Sequence, residues 1–266
     1  EFRSRAISLT MLGGLAAAFV GPNLASFARN WFDTVPFLGT FLALIGIQFL
    51  LVLAISQLRL PDMRGTKHDE PARPLRVVIG QPAVIVAMIA GALGYAVMSF
   101  VMTATPLAIL DCNYEFGDAA FIIQWHVVGM YAPGFFTGNL IRRFGALGII
   151  QAGAVLNLIC LAFGLGGEDL IGNFWPSLVL LGVGWNFMFV GATTFLTENY
   201  RPAEQARVQA INEFVVFGTV AIASLSAGSI YAGAGWSTLL YSAALPVGLV
   251  MLVLAGYALR RRCQPA

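Results

Sequence analysis

The sequence contains little charge and few cysteines. Only 11% of its 266 residues are charged, whereas an average soluble domain carries about a quarter. Its three cysteines, Cys112, Cys160 and Cys263, are an odd number without close spacing, which excludes a disulfide framework and a Cys/His zinc site. A net charge of +2 is too small to predict a nucleic-acid partner. We therefore expect no metal, no cofactor and no nucleic acid.

Apolar residues, in contrast, are abundant. They make up 58% of the chain, and the mean hydropathy is +0.80. Eight apolar runs are each long enough to cross a hydrocarbon core of about 30 Å as a helix. The predicted fold class is an all-α membrane protein with spans at Ala6–Phe27, Pro36–Leu58, Gln81–Leu110, Ala119–Ile141, Gly145–Gly166, Phe174–Leu196, Val208–Tyr231 and Trp236–Leu259.

The charges are sorted between the two sides of the predicted membrane. Fourteen of the 15 Lys and Arg fall on the side that holds both ends of the chain, which we call the basic end. The other side, the acidic end, has Arg29 as its one cation. Because loops rich in Lys and Arg face the cytosol, we expect both ends of the chain to be cytosolic. Six acids lie at the acidic end: Asp33, Asp111, Glu115, Asp118, Glu168 and Asp169.

One connection is longer and more polar than the others. Residues 59–80 are charged and contain several prolines, which predicts a cytosolic linker between two bundles. Residues 81–266 then hold six spans, a natural half of a transporter built from repeats. Residues 1–58 hold only two spans and are predicted to be the last two helices of an N-terminal bundle, with four more spans expected upstream.

Two local patterns resemble the major facilitator superfamily. Small residues of the first span, ending at Gly21 and Pro22, are spaced like the glycine motif of its fifth helix. Residues 138–145 (Gly-Asn-Leu-Ile-Arg-Arg-Phe-Gly) are similar to its Gly-x-Leu-x-Asp-Arg-x-Gly loop, with Arg142 where Asp is usual. Residues 102–107, 124–131 and 184–186 resemble a largely uncharacterised bacterial branch with riboflavin-transporter-like members.

This resemblance implies that the chain covers helices five to twelve of a transporter in the bacterial inner membrane. The third, fourth, sixth and seventh spans would line its cavity. It also implies gating or packing roles for Gly21, Pro22, Gly138, Arg142, Arg143 and Gly145. Pro106 joins this set as a possible hinge, because proline removes a backbone hydrogen bond and kinks a helix.

Polar and aromatic side chains inside the spans are candidates for solute binding, since polar groups there are costly and usually face a wet cavity. For several of these residues, a purely structural role is the alternative. His126 could be a neutral histidine bonded to a backbone carbonyl, the threonines could bond carbonyls freed by Pro106, and Trp185 could be packing. The candidate set is Thr103, Thr105, Gln124, His126, Tyr131, Trp185, Asn186 and Asn212.

Two titratable groups in the spans are candidates for proton coupling. His126 titrates near neutral pH in its ordinary state. Glu213 is the one charged side chain placed inside a span, where a buried carboxyl could carry a proton. The alternative for Glu213 is a carboxylate at the rim, paired with Arg142, Arg143 or Arg207.

The sequence thus predicts a monomeric, multi-pass secondary transporter that moves a small organic solute by alternating access, driven by protons. An enzyme is not predicted, because the spans contain no paired catalytic constellation. Two alternatives stay open: a drug or metabolite efflux antiporter, and a membrane receptor or scaffold that does not transport.

Overall fold

The computed structural model describes residues 2–32, 34–58 and 71–263, with side chains for residues 13–32, 34–58 and 71–261. Residues 59–70 of the predicted linker, and its division of the chain into two bundles, are therefore not tested. The described chain is almost entirely helical. Its helices are α1 (Phe2–Ala28), α2 (Leu38–Ser56), α3 (Leu75–Ile79), α4 (Pro82–Asp111), α5 (Phe116–Tyr131), α6 (Gly134–Phe144), α7 (Ala146–Leu165), α8 (Trp175–Thr197) and α9 (Gln205–Cys263).

Each predicted span coincides with helical structure, which confirms the all-α membrane fold. Helices α5 and α6 together form the fourth span and are bent by 42° with respect to each other. Helix α9 is 59 residues long and is interrupted at Gly235, whose φ of 77° is left-handed, so it supplies the seventh and eighth spans. Within the described residues, five helices are long and apolar enough to cross a membrane, and the bent pair makes a sixth.

The helices begin and end at residues whose local chemistry favours a boundary. Pro82 occupies the first turn of α4, where its missing N–H costs nothing. Helix α5 begins with a capping box, in which the Glu115 N–H donates to the Asp118 carboxylate at 2.9 Å. Gly145 separates α6 from α7 with a φ of 78°, a conformation that glycine adopts without steric cost.

Small residues allow the helices of the core to pack closely. Helix α4 packs against α8 and α9, and α7 packs against α8. A Cβ on Gly153 of α7 would lie 2.6 Å from the Gly184 carbonyl oxygen of α8, so the two backbones touch. Such small-residue contacts are typical of membrane helices, where close van der Waals packing holds the bundle together.

The end of the predicted linker is fixed to the turn between α8 and α9, outside the predicted spans. The Arg73 backbone N–H and Nε each donate to Glu204 Oε1 at 2.8 Å, and Arg73 Nη2 donates to Oε2 at 2.8 Å. The Arg201 N–H donates to the same carboxylate at 2.9 Å. These hydrogen bonds, those of Arg73 above all, lower the pKa of Glu204 to about 2. We call this contact the linker clasp.

Candidate solute-binding site

Four aromatic rings from three helices meet in the middle of the bundle. Tyr95 of α4 lies edge-on to Trp185 and Phe189 of α8, with ring centroids 5.2 and 5.5 Å apart. Trp185 and Phe189 are stacked, with centroids 5.1 Å apart and planes inclined by 8°. Phe217 of α9 completes the group at 6.0 Å from Tyr95. We call these four residues the aromatic patch.

The aromatic patch is partly open. Trp185 is buried at its base, Tyr95 and Phe189 are half-buried, and Phe217 is 54% exposed. Exposed aromatic faces with a preset geometry can stack on a flat ring with little loss of side-chain freedom. This arrangement therefore suits a planar, conjugated solute.

Two polar side chains are close enough to the patch to act on Tyr95 electrostatically. Tyr131 and Glu213 both lie within electrostatic range of the Tyr95 hydroxyl. Glu213 is exposed and forms neither a hydrogen bond nor an ion pair with any described residue, so pairing with Arg142, Arg143 or Arg207 is not observed among these residues. Asn212 is 6% exposed and likewise makes no hydrogen bond to a described residue. The exposed Glu213 is therefore open to a solute or a proton.

Tyr95, Phe189 and Phe217 are absent from the set predicted from sequence. One signal pointed to Phe189: it follows Trp185 by four residues and therefore lies on the same face of the helix. Tyr95 and Phe217 carry no comparable signal, because their proximity to Trp185 depends on how three helices pack.

His126 lies away from the patch, in the tightly packed contact between α5 and α8, which we call the α5–α8 seam. Its side chain is fully buried, and Nδ1 is 2.8 Å from the Leu178 carbonyl oxygen. A Cβ on Gly129 would lie 2.7 Å from the Val179 carbonyl oxygen, and one on Gly182 would overlap the His126 carbonyl oxygen. This is the arrangement expected of a histidine bonded to a backbone carbonyl.

Asn186 also belongs to the α5–α8 seam, where both of its polar groups are bonded. Its Nδ2 donates to the Met130 carbonyl oxygen at 2.7 Å, and its Oδ1 accepts from Thr137 Oγ1 at 2.7 Å. Met130 precedes the bend at Ala132 and Pro133, where the regular backbone bonding of α5 stops. Asn186 therefore satisfies a carbonyl that the bend leaves free, and it is not open to a solute.

The remaining predicted contacts lie in three different places. Gln124 accepts from Asn23 Nδ2 at 2.7 Å and so joins α5 to α1. Thr105 is buried and donates to the Val101 carbonyl oxygen at 2.8 Å, one turn back in α4. Thr103 is exposed on the same helix, near the half-buried Pro106. The structure does not bring these residues to the aromatic patch.

The residues assigned to gating or packing lie in two regions, one at the basic end and one between α1, α4 and α5. Gly138, Arg142 and Gly145 line a groove of about 660 Å³ at the basic end, together with Glu198 and Arg261. Arg143 is exposed, with its guanidinium 5.2 Å from the Phe144 ring centroid. Gly21 and Pro22 line a smaller apolar groove between α1, α4 and α5, which also contains Pro106.

Comparison with known proteins assigns the chain to a family. The model of the Major Facilitator Superfamily matches residues 1–218. The chain belongs to the major facilitator superfamily. Membership of this superfamily of transporters confirms the predicted family, transmembrane character and non-enzymatic nature of the chain.

Three relatives within the major facilitator superfamily align over most of the chain. Riboflavin transporter RfnT of Brucella anthropi is 42% identical over 263 residues, which cover 98% of this chain and 65% of the relative. Two uncharacterised MFS-type transporters of Bacillus subtilis, YddS and YdeG, are each 25% identical, over 96% and 89% of the chain. The chain spans 65%, 62% and 59% of the lengths of these three relatives.

Proposed function

We propose that this protein is a secondary transporter of a flat aromatic solute, with riboflavin as the first candidate, that works by alternating access and is driven by the proton gradient. The observation that carries the proposal is the aromatic patch, a preset surface of partly open rings at mid-depth in a major facilitator protein. The name of the relative that is 42% identical supports riboflavin in particular.

Glu213 is the residue we propose for proton coupling. Its carboxyl group is exposed, is not held by an ion pair with a described residue, and lies within electrostatic range of Tyr95 in the patch. A solute bound to the patch and a proton on Glu213 would therefore influence each other directly. His126, the second predicted carrier, is sealed in the α5–α8 seam and bonded to a backbone carbonyl, which favours Glu213.

The remaining features of the proposal follow from the charge pattern and the architecture. Because the basic end collects nearly all Lys and Arg, we place both ends of the chain in the cytosol of a bacterium, with the bundle in the inner membrane. The patch forms within one chain, which supports a monomer as the transporting unit.

Transport by the full-length protein in proteoliposomes tests this proposal. We expect riboflavin to accumulate when an inward proton gradient is imposed, and Glu213→Gln to abolish the response to that gradient while keeping exchange of labelled for unlabelled riboflavin. Glu168→Gln, which changes an exposed carboxylate at the acidic end, serves as the control and should behave like wild type.

Three results would contradict separate parts of the proposal. A folded wild-type protein that neither binds nor moves riboflavin would remove riboflavin as the solute. Full dependence on the proton gradient in Glu213→Gln would remove Glu213 as the carrier. Riboflavin movement outward under the same gradient would establish an efflux antiporter instead.

A further inference from the structure

Arg29, the one cation of the acidic end, packs against two aromatic rings that also contact each other. Its guanidinium carbon lies 5.1 Å from the ring centroid of Phe37 and 4.7 Å from that of Phe116. The two rings contact each other at 5.4 Å. A cation within about 6 Å of an aromatic centroid is attracted by the ring quadrupole, and the attraction is stronger where water is excluded. We call this contact the Arg29 sandwich.

The sandwich joins three parts of the chain at the acidic end. Arg29 directly follows α1, Phe37 directly precedes α2, and Phe116 is the first residue of α5. Phe37 has a φ of 66°, an uncommon conformation for a large side chain, and its N–H donates to the Arg29 carbonyl oxygen at 3.0 Å. A non-glycine residue in this region of φ is strained and persists where its surroundings hold it in place.

The contact between α1 and α5 continues below the sandwich. Asn23 donates to Gln124 at 2.7 Å, further along both helices. Between these two contacts lies an apolar groove of about 300 Å³, lined by residues that include Pro22, Pro106 and Ala120. Phe116 belongs to the Arg29 sandwich and also lines this groove, so the sandwich borders the groove between α1, α4 and α5.

We propose that the Arg29 sandwich is the latch of a gate at the acidic end. This inference rests on the proposed alternating access, in which α1 and α5 must separate at the outward-facing end to admit solute. The contacts of Arg29 and Phe37 with Phe116 exist only while the α1–α2 hairpin and the start of α5 are together, so they stabilise the closed state selectively. Loss of the Arg29–Phe116 contact should shift the ratio of closed to open molecules roughly tenfold towards the open state.

Cysteine labelling of the full-length protein tests the latch without any solute. The reporter is Ala120→Cys, in the groove below the sandwich, in a protein whose Cys112, Cys160 and Cys263 are replaced by alanine. We expect Arg29→Gln and Phe116→Leu each to raise the rate of labelling by a membrane-impermeant maleimide, Arg29→Gln by roughly tenfold. Arg29→Lys, which keeps the charge, should have a smaller effect.

Phe27→Leu is the matched control, because Phe27 pairs with Trp31 on the same hairpin and is not part of the sandwich. It should label at the wild-type rate. A second reporter protein keeps Ala120 and the native Cys160, with only Cys112 and Cys263 replaced by alanine. Cys160 is fully buried and gains label only if the bundle unfolds. Wild-type labelling of Ala120→Cys in Arg29→Gln would overturn the latch, and so would a parallel gain of label on Cys160.

The labelling result is separate from the fate of the proposed function. If the Arg29 variants open the acidic end but the wild type moves no solute, the latch stands and the transport proposal falls. If the wild type transports riboflavin and the labelling rate of Ala120→Cys does not change in the Arg29 variants, only the latch proposal is wrong.

Discussion

The α5–α8 seam and the aromatic patch share helix α8 but use polar residues in opposite ways. In the seam, Asn186 bonds with both of its polar groups, and His126 is bonded through one ring nitrogen to a backbone carbonyl. On α9, about one turn before Phe217 of the patch, Asn212 and Glu213 make no hydrogen bond to a described residue. A polar residue in a span therefore indicates function only once its partners are known, because many such residues serve to join helices.

The largest loss of stability is expected when a methyl group is added in the α5–α8 seam. In Gly182→Ala the new Cβ would overlap the His126 carbonyl oxygen, a backbone atom that cannot turn aside. We expect the free energy of unfolding to fall by about 3 kcal/mol, measured as thermal stability in detergent. Gly218→Ala places the same methyl group in open space on α9 and should leave stability unchanged or raise it by up to about 1 kcal/mol, because alanine favours the helix. Equal stability of the two variants would contradict the packing described.

Two asparagines allow the seam and the surroundings of the patch to be compared directly. Asn186→Ala leaves the buried Met130 carbonyl without its partner, while the Thr137 hydroxyl can still donate to the Pro133 carbonyl oxygen, so it should cost about 2 kcal/mol of stability. Asn212→Ala breaks no observed hydrogen bond and should be nearly neutral for folding, yet it should weaken riboflavin binding. Unfolding curves and titrations of flavin fluorescence measure the two effects. The reverse pattern would show that the assignment of the two asparagines is wrong.

In the linker clasp the carboxylate of Glu204 is hydrogen-bonded, whereas that of Glu213 has no partner among the described residues. In Glu204→Gln the charge-assisted bonds from Arg73 and Arg201 are lost, which should cost about 2 kcal/mol at neutral pH. Because the pKa of Glu204 is lowered from 4.5 to about 2 in the folded protein, this stabilisation is complete above pH 4.5. It is lost as the pH falls towards about 2.

Unfolding measured against pH checks this expectation. The stability difference between wild type and Glu204→Gln should narrow steadily below pH 4.5. Glu198→Gln, which changes an exposed carboxylate six residues earlier, should track wild type throughout. If the stability difference between wild type and Glu204→Gln stays constant down to pH 2.5, the charge of the Glu204 carboxylate is not its source.

The smallest expected change in free energy concerns the patch itself. Phe217→Leu removes a ring that is 54% exposed, so stability should hardly change. If a flat solute stacks there, affinity for riboflavin should fall about tenfold, since stacking on an aromatic side chain contributes on the order of 1 to 3 kcal/mol. Phe163→Leu removes an exposed ring of α7, outside the patch, and serves as the matched control. Unchanged affinity for riboflavin in Phe217→Leu would show that the solute does not stack on this ring of α9.

The spans could be predicted from sequence because each is a long apolar run, and the positions of Pro82, Gly145 and Gly235 mark where helices begin or end. The bend in the fourth span was less predictable. Pro133 weakens the helix, but the bend is completed by Asn186, which is 53 residues further along.

The candidate site was predicted only in part. Trp185 and Glu213 stood out as unusual residues within spans, and the structure places both at or beside the patch. Tyr95 and Phe217 are 122 residues apart, and no helical period relates residues on different helices. His126 and Asn186 were conspicuous for the same reason as Trp185, yet the structure shows that they join helices. Which face of a helix meets a neighbour depends on close contacts such as that of Gly182, which composition alone does not reveal.

The linker clasp also determines where the chain can tolerate extra length. Arg73 is tied to the turn before α9, and only seven residues separate it from Gln81, which precedes the first turn of α4. A residue inserted between these two points must either detach Arg73 or push α4 along its axis. A residue inserted before Pro71 lengthens only the connection to α2. Tolerance to insertion should therefore change abruptly at Arg73.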